Sequence, residues 1–397
     1  MTLSHAQLLP DLGNSQPIGY PVTHWIRPIH NPGYLPGSLV PMKILIVLLK
    51  HLGDTLLCTP TLAALRQRFP DARIDVVVRT GCSALLQHNP DLTHLVEIAS
   101  MDPEQRNWRN ALREWHQLLH TVLCQRYDYA FDLSDSDRSK LILLLSCARV
   151  RAMNAWNQPP SWKHKLLNRL ATYPWLNAHQ VERNYYTVFE VIAPGTTLPP
   201  PGPLVMHQAA DLSRIRALLP DIDWNQPYAV IHPTSRWRFK QWLPEHWGTL
   251  IHWLQNELGW QVILSSGPAS VEQEEIRTIL AHCQTRPALL SGGLSFPELA
   301  RLFGMSRLFL GVDTMAMHLA ASVQVPIVAL FGPSHESIWR PWGCHHALIA
   351  GACRCKQNRS ITCDKSRPFP CMASITPHEV QNQALTLLHA TPSPPSR

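Results

Sequence analysis

No aliphatic run in this 397-residue chain is longer than Ile44–Leu49, far too short to cross a bilayer as a helix. The N-terminus has no charged start followed by an apolar core, so it does not read as a secretory signal. Without such a signal, ten cysteines read as mostly reduced thiols of a cytoplasmic protein. Charge is sparse, at 16% of residues, while apolar content is an ordinary 45%, which suits a folded chain. Its length suggests two domains rather than one core. The phosphate loop G-x-x-x-x-G-K-[ST] is absent, which argues against a P-loop enzyme. The first strand-to-helix turn carries one glycine, not the three of a dinucleotide fingerprint. Cys353, Cys355, Cys363 and Cys371 contain no C-x-x-C pair, so buried thiols are a better reading than zinc. Between Arg138 and Gln180 there is no Asp or Glu at all.

Net charge is +7, which favours anionic partners: nucleic acid, an anionic membrane or phosphorylated substrates. Residues 1–41 show no periodicity and read as a disordered tail. Met42 stands directly before the strong strand Lys43–Leu49, so the tail is also a candidate for a misassigned start, testable by intact mass. From Met42 strands and helices alternate: KILIVLL, helix TPTLAALRQRF, RIDVVVR, helix SALLQHN, HLVEIA, a long helix over 103–125, and YDYAFDLS. The stretch Ala193–Pro203, APGTTLPPPGP, reads as a linker. A second alternation follows: YAVIHP, PEHWGTLIHWLQNELG, QVILSSG, VEQEEIRTILAHC, FPELARLFGMS, LFLGV, a short helix and PIVALFG. Alternation of this kind implies parallel α/β sheets with helices on both faces, in two Rossmann-like halves. The expected boundaries are 42–200 and 201–378, with a last helix and loose tail over 379–397.

Three stretches carry candidate chemistry. After the first strand, Gly53 permits a tight turn and Asp54 sits at the strand's carboxyl end, as a base in the cleft or as a helix cap. After YAVIH, Thr234, Ser235 and the cations through Lys240 offer a clamp for a diphosphate, or a basic loop with two tryptophans on arginine stems. After LFLGV, Asp313 and Thr314 stand where a helix begins and either can cap it, with His318 one turn in; the stretch reads as a ligand site whose free N–H groups suit a phosphate, or as a capped helix with a buried histidine. Carboxyl ends of parallel strands are where open α/β sheets bind ligands. The acid-free segment holds seven Lys or Arg, among them Arg138, Lys140, Arg149, Arg151, Lys163 and Lys165, interleaved with Trp156, Trp162, Tyr173 and Trp175. Such a face suits nucleic acid, a membrane interface or an anionic glycolipid. The D-x-D triplets at Asp135 and Asp221 lie in expected loops and carry little weight as metal sites.

HLGDTLLCTPTLAALR, YDYAFDLS, IHPTSRWRFKQWLPEHW, LFLGVDTMAMHLAA, PIVALFGPS and CMASITPHEV together resemble the lipopolysaccharide heptosyltransferases of glycosyltransferase family 9, nearest the heptosyltransferase III type. The resemblance spans roughly Met42–Val380. It implies a GT-B fold, two Rossmann-like domains facing a cleft, with the acceptor on the first and ADP-heptose on the second. It implies an inverting transfer to the lipopolysaccharide inner core without metal or cofactor, on the cytoplasmic face of the inner membrane, and no nucleic acid. Asp54 resembles the family's general base and Lys240 the group that meets the leaving diphosphate. Thr234, Ser235, Asp313, Thr314 and His318 resemble donor contacts, Glu272 a ribose contact and Leu294 an adenine contact. Met315 departs from the glycine that many relatives have after the Asp-Thr pair, which bears on the donor. The alternatives are the same fold with another nucleotide sugar, or a non-catalytic binder of nucleic acid or anionic lipid.

Overall fold

The computed structural model describes residues 41–99, 116, 118, 120–123, 125–156, 166–207, 211–353, 356 and 369–390. Their strands form two six-stranded sheets, parallel throughout. The first contains β1 (Lys43–Leu48), β2 (Arg73–Arg79), β3 (His94–Ile98), β4 (Tyr129–Asp132), β5 (Val150–Asn154) and β6 (Arg169–Ala171), in the order β3-β2-β1-β4-β5-β6. The second contains β7 (Tyr228–His232), β8 (Gln261–Ser266), β9 (Ala288–Ser291), β10 (Leu308–Val312), β11 (Ile327–Phe331) and β12 (His346–Ala350), in the order β12-β11-β10-β7-β8-β9. Counted from the first strand of each half, both orders are 3-2-1-4-5-6. The chain reverses direction between the first and fourth strands, which opens a crevice beside β1 and β4 and another beside β7 and β10.

Burial explains why the strands were legible. β7, β10 and β11 are buried at every residue, and β1 at all but its first. A strand covered by helices on both faces is apolar without alternation. Asp75 is the exception inside β2. Its fully buried carboxylate accepts from Arg73 Nε at 2.7 Å and the Tyr127 hydroxyl at 2.6 Å, with His94 Nδ1 at 2.8 Å, so no acceptor is orphaned.

Several expectations shift. SALLQHN makes a 3₁₀ helix over Ser83–Leu85 and then a turn closed by the Asn89 N–H on Leu86 O at 2.9 Å, with Pro90 barring a longer helix. The short helix Leu52–Leu56 stands where a turn was expected. Most of the expected 103–125 helix, and the tail 1–41 apart from Pro41, lie outside the described residues. The end of the linker stretch is tied to the second half: the Trp342 indole donates to Gly202 O at 2.9 Å and Leu204, just after it, is buried, while His179, at the start of helix Gln180–Ile192, lies 2.8 Å from Arg340 O through Nε2. Leu56, Leu57 and Val181 from the first half share one core cluster with Ala316, Met317 and Phe309 from the second. An apolar seam therefore joins the halves beside the crevices.

Candidate functional site

The carboxyl ends of β9, β8, β7 and β10 lie in a row, and each delivers a candidate residue. Leu294 follows β9, Glu272 lies in helix Ser270–Ala281 after β8, Thr234 and Ser235 follow β7, and Asp313 and Thr314 follow β10. Opposite them, β1 delivers Asp54 on the helix Leu52–Leu56. A Cβ built on Gly53 would lie 3.4 Å from His318 Cδ2 and 4.0 Å from Met315 Cα, so the two walls touch here.

Asp54 is 8% exposed, and its Oδ2 accepts from the His51 N–H at 3.2 Å. That bond caps the helix; it also fixes the carboxylate's direction. Lys240 reaches Asp313 with Nζ 2.6 Å from Oδ2 and 3.2 Å from the backbone oxygen. An ammonium has three N–H bonds. Asp313 takes two, which leaves one for a ligand. The helix Met315–Ser322 begins without a side-chain cap, so of the two readings the capped helix is not what forms. The Thr314 hydroxyl is instead buried with no hydrogen-bond partner, as are the Thr234 hydroxyl, Glu272 Oε2 and His318 Nδ1. Four orphaned polar atoms around one crevice mark where a polar ligand completes the structure, since each costs free energy while unpaired.

Glu272 is pushed above the usual carboxylate range by burial, opposed by the Gly267 backbone and the Thr234 hydroxyl, which is close without making a full hydrogen bond. Ser235 is buried, accepting from the Trp237 N–H at 3.2 Å and giving its carbonyl to Gln241 Nε2 at 3.2 Å. Leu294 packs on the core at the end of the row. The two tryptophans of this loop separate. Trp242 is core, donating to Ile375 O at 3.0 Å, whereas Trp237 is 50% exposed with the Arg236 guanidinium 5.5 Å over its ring.

Burial, first among the causes, pushes His318 and His232 down to about 4 and His179 to about 3, from an ordinary 6.5. All three are neutral in the fold near pH 7 and bind protons only when the chain opens. Their stabilisation is complete above pH 6.5 and is lost as pH falls from 6.5 towards 4, at up to about 1.4 kcal/mol per pH unit for each. Urea midpoints measured at pH 7.5 and at pH 5 should show marked acid destabilisation; equal midpoints would mean that these rings are solvated.

The acid-free segment is not the uniform basic face expected from sequence. Lys140 is 4% exposed and locked between Asp135, at 2.8 Å, and Asp132, at 3.8 Å. Its partners lie just upstream of the window that held no acid. Arg138 is half-buried and donates to Ala99 O. Arg151 spends its guanidinium on Leu166 O and Ala148 O, both at 2.9 Å. The aromatics are likewise used internally: Trp175 donates to Trp156 O at 3.1 Å, and Tyr173 stacks on Tyr186 at 4.3 Å. Arg149 and Arg169 are exposed, while Lys163, Lys165 and Trp162 lie outside the described residues. Asp135 pairs with Lys140, Asp137 lies in the first turn of a helix, and Asp223 accepts from the Asn225 N–H at 3.0 Å. Among the described residues, no group of three or more His, Cys, Asp or Glu could hold a metal ion. Cys353 and Cys371 are buried in the core of the second half; Cys355 and Cys363 lie outside the described residues.

Two residues near the site escaped the sequence reading, Gly267 and Arg79. Gly267 lies under Glu272, where a built Cβ would fall 2.1 Å from Oε2. Arg79 approaches His51 Nδ1 at 3.5 Å, and Arg236, which the sequence grouped with Lys240 as a clamp cation, approaches the same atom at 3.4 Å from the other half. The position of Arg79 at a strand's carboxyl end was the signal available for it.

Two Rossmann-like halves, joined by a short link and meeting at the carboxyl ends of their strands, make a GT-B architecture. Residues 115–367 match the family described as glycosyltransferase family 9 (heptosyltransferase). The chain is 31% identical over 298 residues to lipopolysaccharide heptosyltransferase 3 of Escherichia coli K12, covering 74% of this chain and 83% of that one. Among solved structures, a family 9 glycosyltransferase from Veillonella parvula superposes with a TM-score of 0.72 at 19% identity, over 88% of this chain and 98% of the other. The E. coli ADP-heptose lipopolysaccharide heptosyltransferase II gives 0.67 at 22% identity, over 88% and 99%. This chain belongs to glycosyltransferase family 9, the heptosyltransferases.

Proposed function

We propose that the protein transfers heptose from ADP-L-glycero-D-manno-heptose to the lipopolysaccharide inner core, with inversion at the anomeric carbon. The observation that carries the reading is the placement of Asp54 against the row Leu294, Glu272, Thr234, Asp313 at one cleft. The nucleotide lies along that row, with adenine towards Leu294 and ribose at Glu272. Its diphosphate meets Lys240 and the N–H groups that open helix Met315–Ser322. Asp54 takes the proton from an acceptor hydroxyl, that oxygen bonds to the anomeric carbon, and the bond to ADP breaks on the opposite face. The negative charge left on ADP is met by the remaining N–H of Lys240. Met315 narrows the phosphate end of the pocket relative to a glycine there.

Melting temperature with a panel of nucleotide sugars, followed by transfer to a heptose-deficient core glycolipid, tests the reading. ADP-heptose should stabilise the protein most and support turnover. Stabilisation by a uridine or guanosine sugar instead would replace the donor and keep the fold.

Gly267 gives a sharper test of the ribose contact. Gly267→Ala places a methyl group where Glu272 Oε2 now lies, and the end of a flexible side chain yields readily. The variant should keep its melting temperature while ADP affinity falls about tenfold, the worth of one charge-assisted hydrogen bond. Unchanged ADP affinity by calorimetry would remove Glu272 from the donor site.

A peripheral contact with the cytoplasmic face of the inner membrane is part of the proposal. No helix among the described residues is long and apolar enough to cross a membrane. Helix Asp137–Leu145 is apolar on both sides: Ile142 and Leu143 face the core, while Leu141, Leu144 and Leu145 are exposed. Exposed Arg149 lies just beyond it, a pairing of leucine and cation that suits an anionic interface.

A further inference from the structure

One place in the cleft gathers positive charge from both halves of the chain. Arg79, the last residue of β2, brings Nη1 to 3.5 Å from His51 Nδ1, and Arg236, after β7, brings Nη2 to 3.4 Å from the same atom. One imidazole lone pair cannot satisfy two guanidinium forks. Among the described residues neither guanidinium has a carboxylate within ion-pair distance. His51 lies below its ordinary value, through burial first and then through Arg236, with Arg79 and Lys50 adding to the effect and Asp54 opposing it. The local field is thus cationic despite Asp54. Beside it, the exposed ring of Trp237 lies under Arg236 and 5.7 Å from Phe239, an apolar platform next to the charges.

We propose that Arg79, His51 and Arg236 form a subsite for an acidic group, a phosphate or a carboxylate, carried by the acceptor beside the hydroxyl that receives the sugar. This rests on the transferase reading above. Two guanidinium groups that converge from different directions match the several oxygens of such an anion. The donor's diphosphate has its own partners in the second half, Lys240 and the helix N–H groups; Arg236, grouped with Lys240 in the clamp read from sequence, approaches His51 whereas Lys240 is at Asp313. Arg79 belongs to the first half and lies on the Asp54 side of the cleft. An anion held there bridges the two halves, so acceptor binding and closure of the cleft become one event. Trp237 gives the apolar face of the sugar ring a surface to lie on.

The test uses the double variant Arg79→Gln, Arg236→Gln and three acceptors: the native core glycolipid, the same glycolipid dephosphorylated, and the same with its carboxyl groups reduced. In the wild type, removal of one kind of acidic group should raise the acceptor KM about tenfold or more, the worth of a charge-assisted contact. Whichever removal does so identifies the group. In the double variant the acceptor KM should be high for all three, with the ADP-heptose KM and kcat at saturation unchanged. A variant that still discriminates among the acceptors overturns the subsite. A donor KM that rises with the acceptor KM gives the arginines to the diphosphate instead and likewise overturns it. A second measurement needs no transfer: inorganic phosphate added to ADP-saturated protein should raise the melting temperature of the wild type and not of the double variant. Equal shifts overturn the subsite, whereas a lost shift without any heptosyl transfer would leave it standing and remove only the substrate assignment.

Discussion

Asp54→Asn is expected to lose about 10² to 10⁴-fold in turnover, the usual worth of a general base, while folding and donor affinity stay as they are. The structure explains why those effects should separate. The one bond seen for the carboxylate, from the His51 N–H to Oδ2, can be accepted equally by an amide oxygen, so the helix Leu52–Leu56 keeps its cap. The donor's expected partners all lie in the other half. The amide keeps shape and hydrogen bond but cannot take a proton. Turnover, melting temperature and ADP affinity should be measured together. A variant that turns over within about threefold of the wild type would take the base role away from Asp54.

Lys240→Ala should cost both donor affinity and stability. The pair it breaks is tight and mostly enclosed, with Asp313 5% exposed and Lys240 Nζ 2.6 Å from its carboxylate. Removing one partner of a buried pair costs about 3–5 kcal/mol, because the other charge stays buried alone. The partly accessible lysine places the loss near the lower end. Adding Asp313→Asn removes the stranded charge, so the double variant should regain most of the lost stability. It should not regain ADP affinity, because the cation that faces the diphosphate is still missing. A denaturation midpoint and an ADP titration on both variants separate the two roles. Full recovery of ADP binding in the double variant would make Lys240 a structural residue only.

Much of the fold was legible because both sheets are parallel and covered, so the central strands stand out as apolar runs between turns. The short strands β5, β6, β9 and β12 were not read, since three to five residues at or near a sheet edge carry little pattern. Candidate site residues that follow strand ends could be placed by topology alone. Other features needed the third dimension. Lys140 looked like a surface cation because its acids fall just outside the segment that was counted. Thr314 could be read as a cap, and it does hold the cap position, but its hydroxyl is buried without a partner. The approach of Arg236 to His51 joins residues 185 positions apart, which no local pattern encodes.

The apolar seam between the halves bears on how such enzymes can be recombined. The linker at 193–203 invites chimeras in which one relative's acceptor half is joined to another's donor half. Leu56 and Leu57 are packed into the same cluster as Ala316 and Met317, immediately after the carboxylate proposed as the base. A crossover at the linker would therefore pair a foreign Leu52–Leu56 helix with a resident Met315–Ser322 helix and misalign the two walls of the cleft. The exchangeable unit is the half together with the helix it leans on. Acceptor preference should travel between relatives only when residues 52–57 and 315–318 come from the same parent.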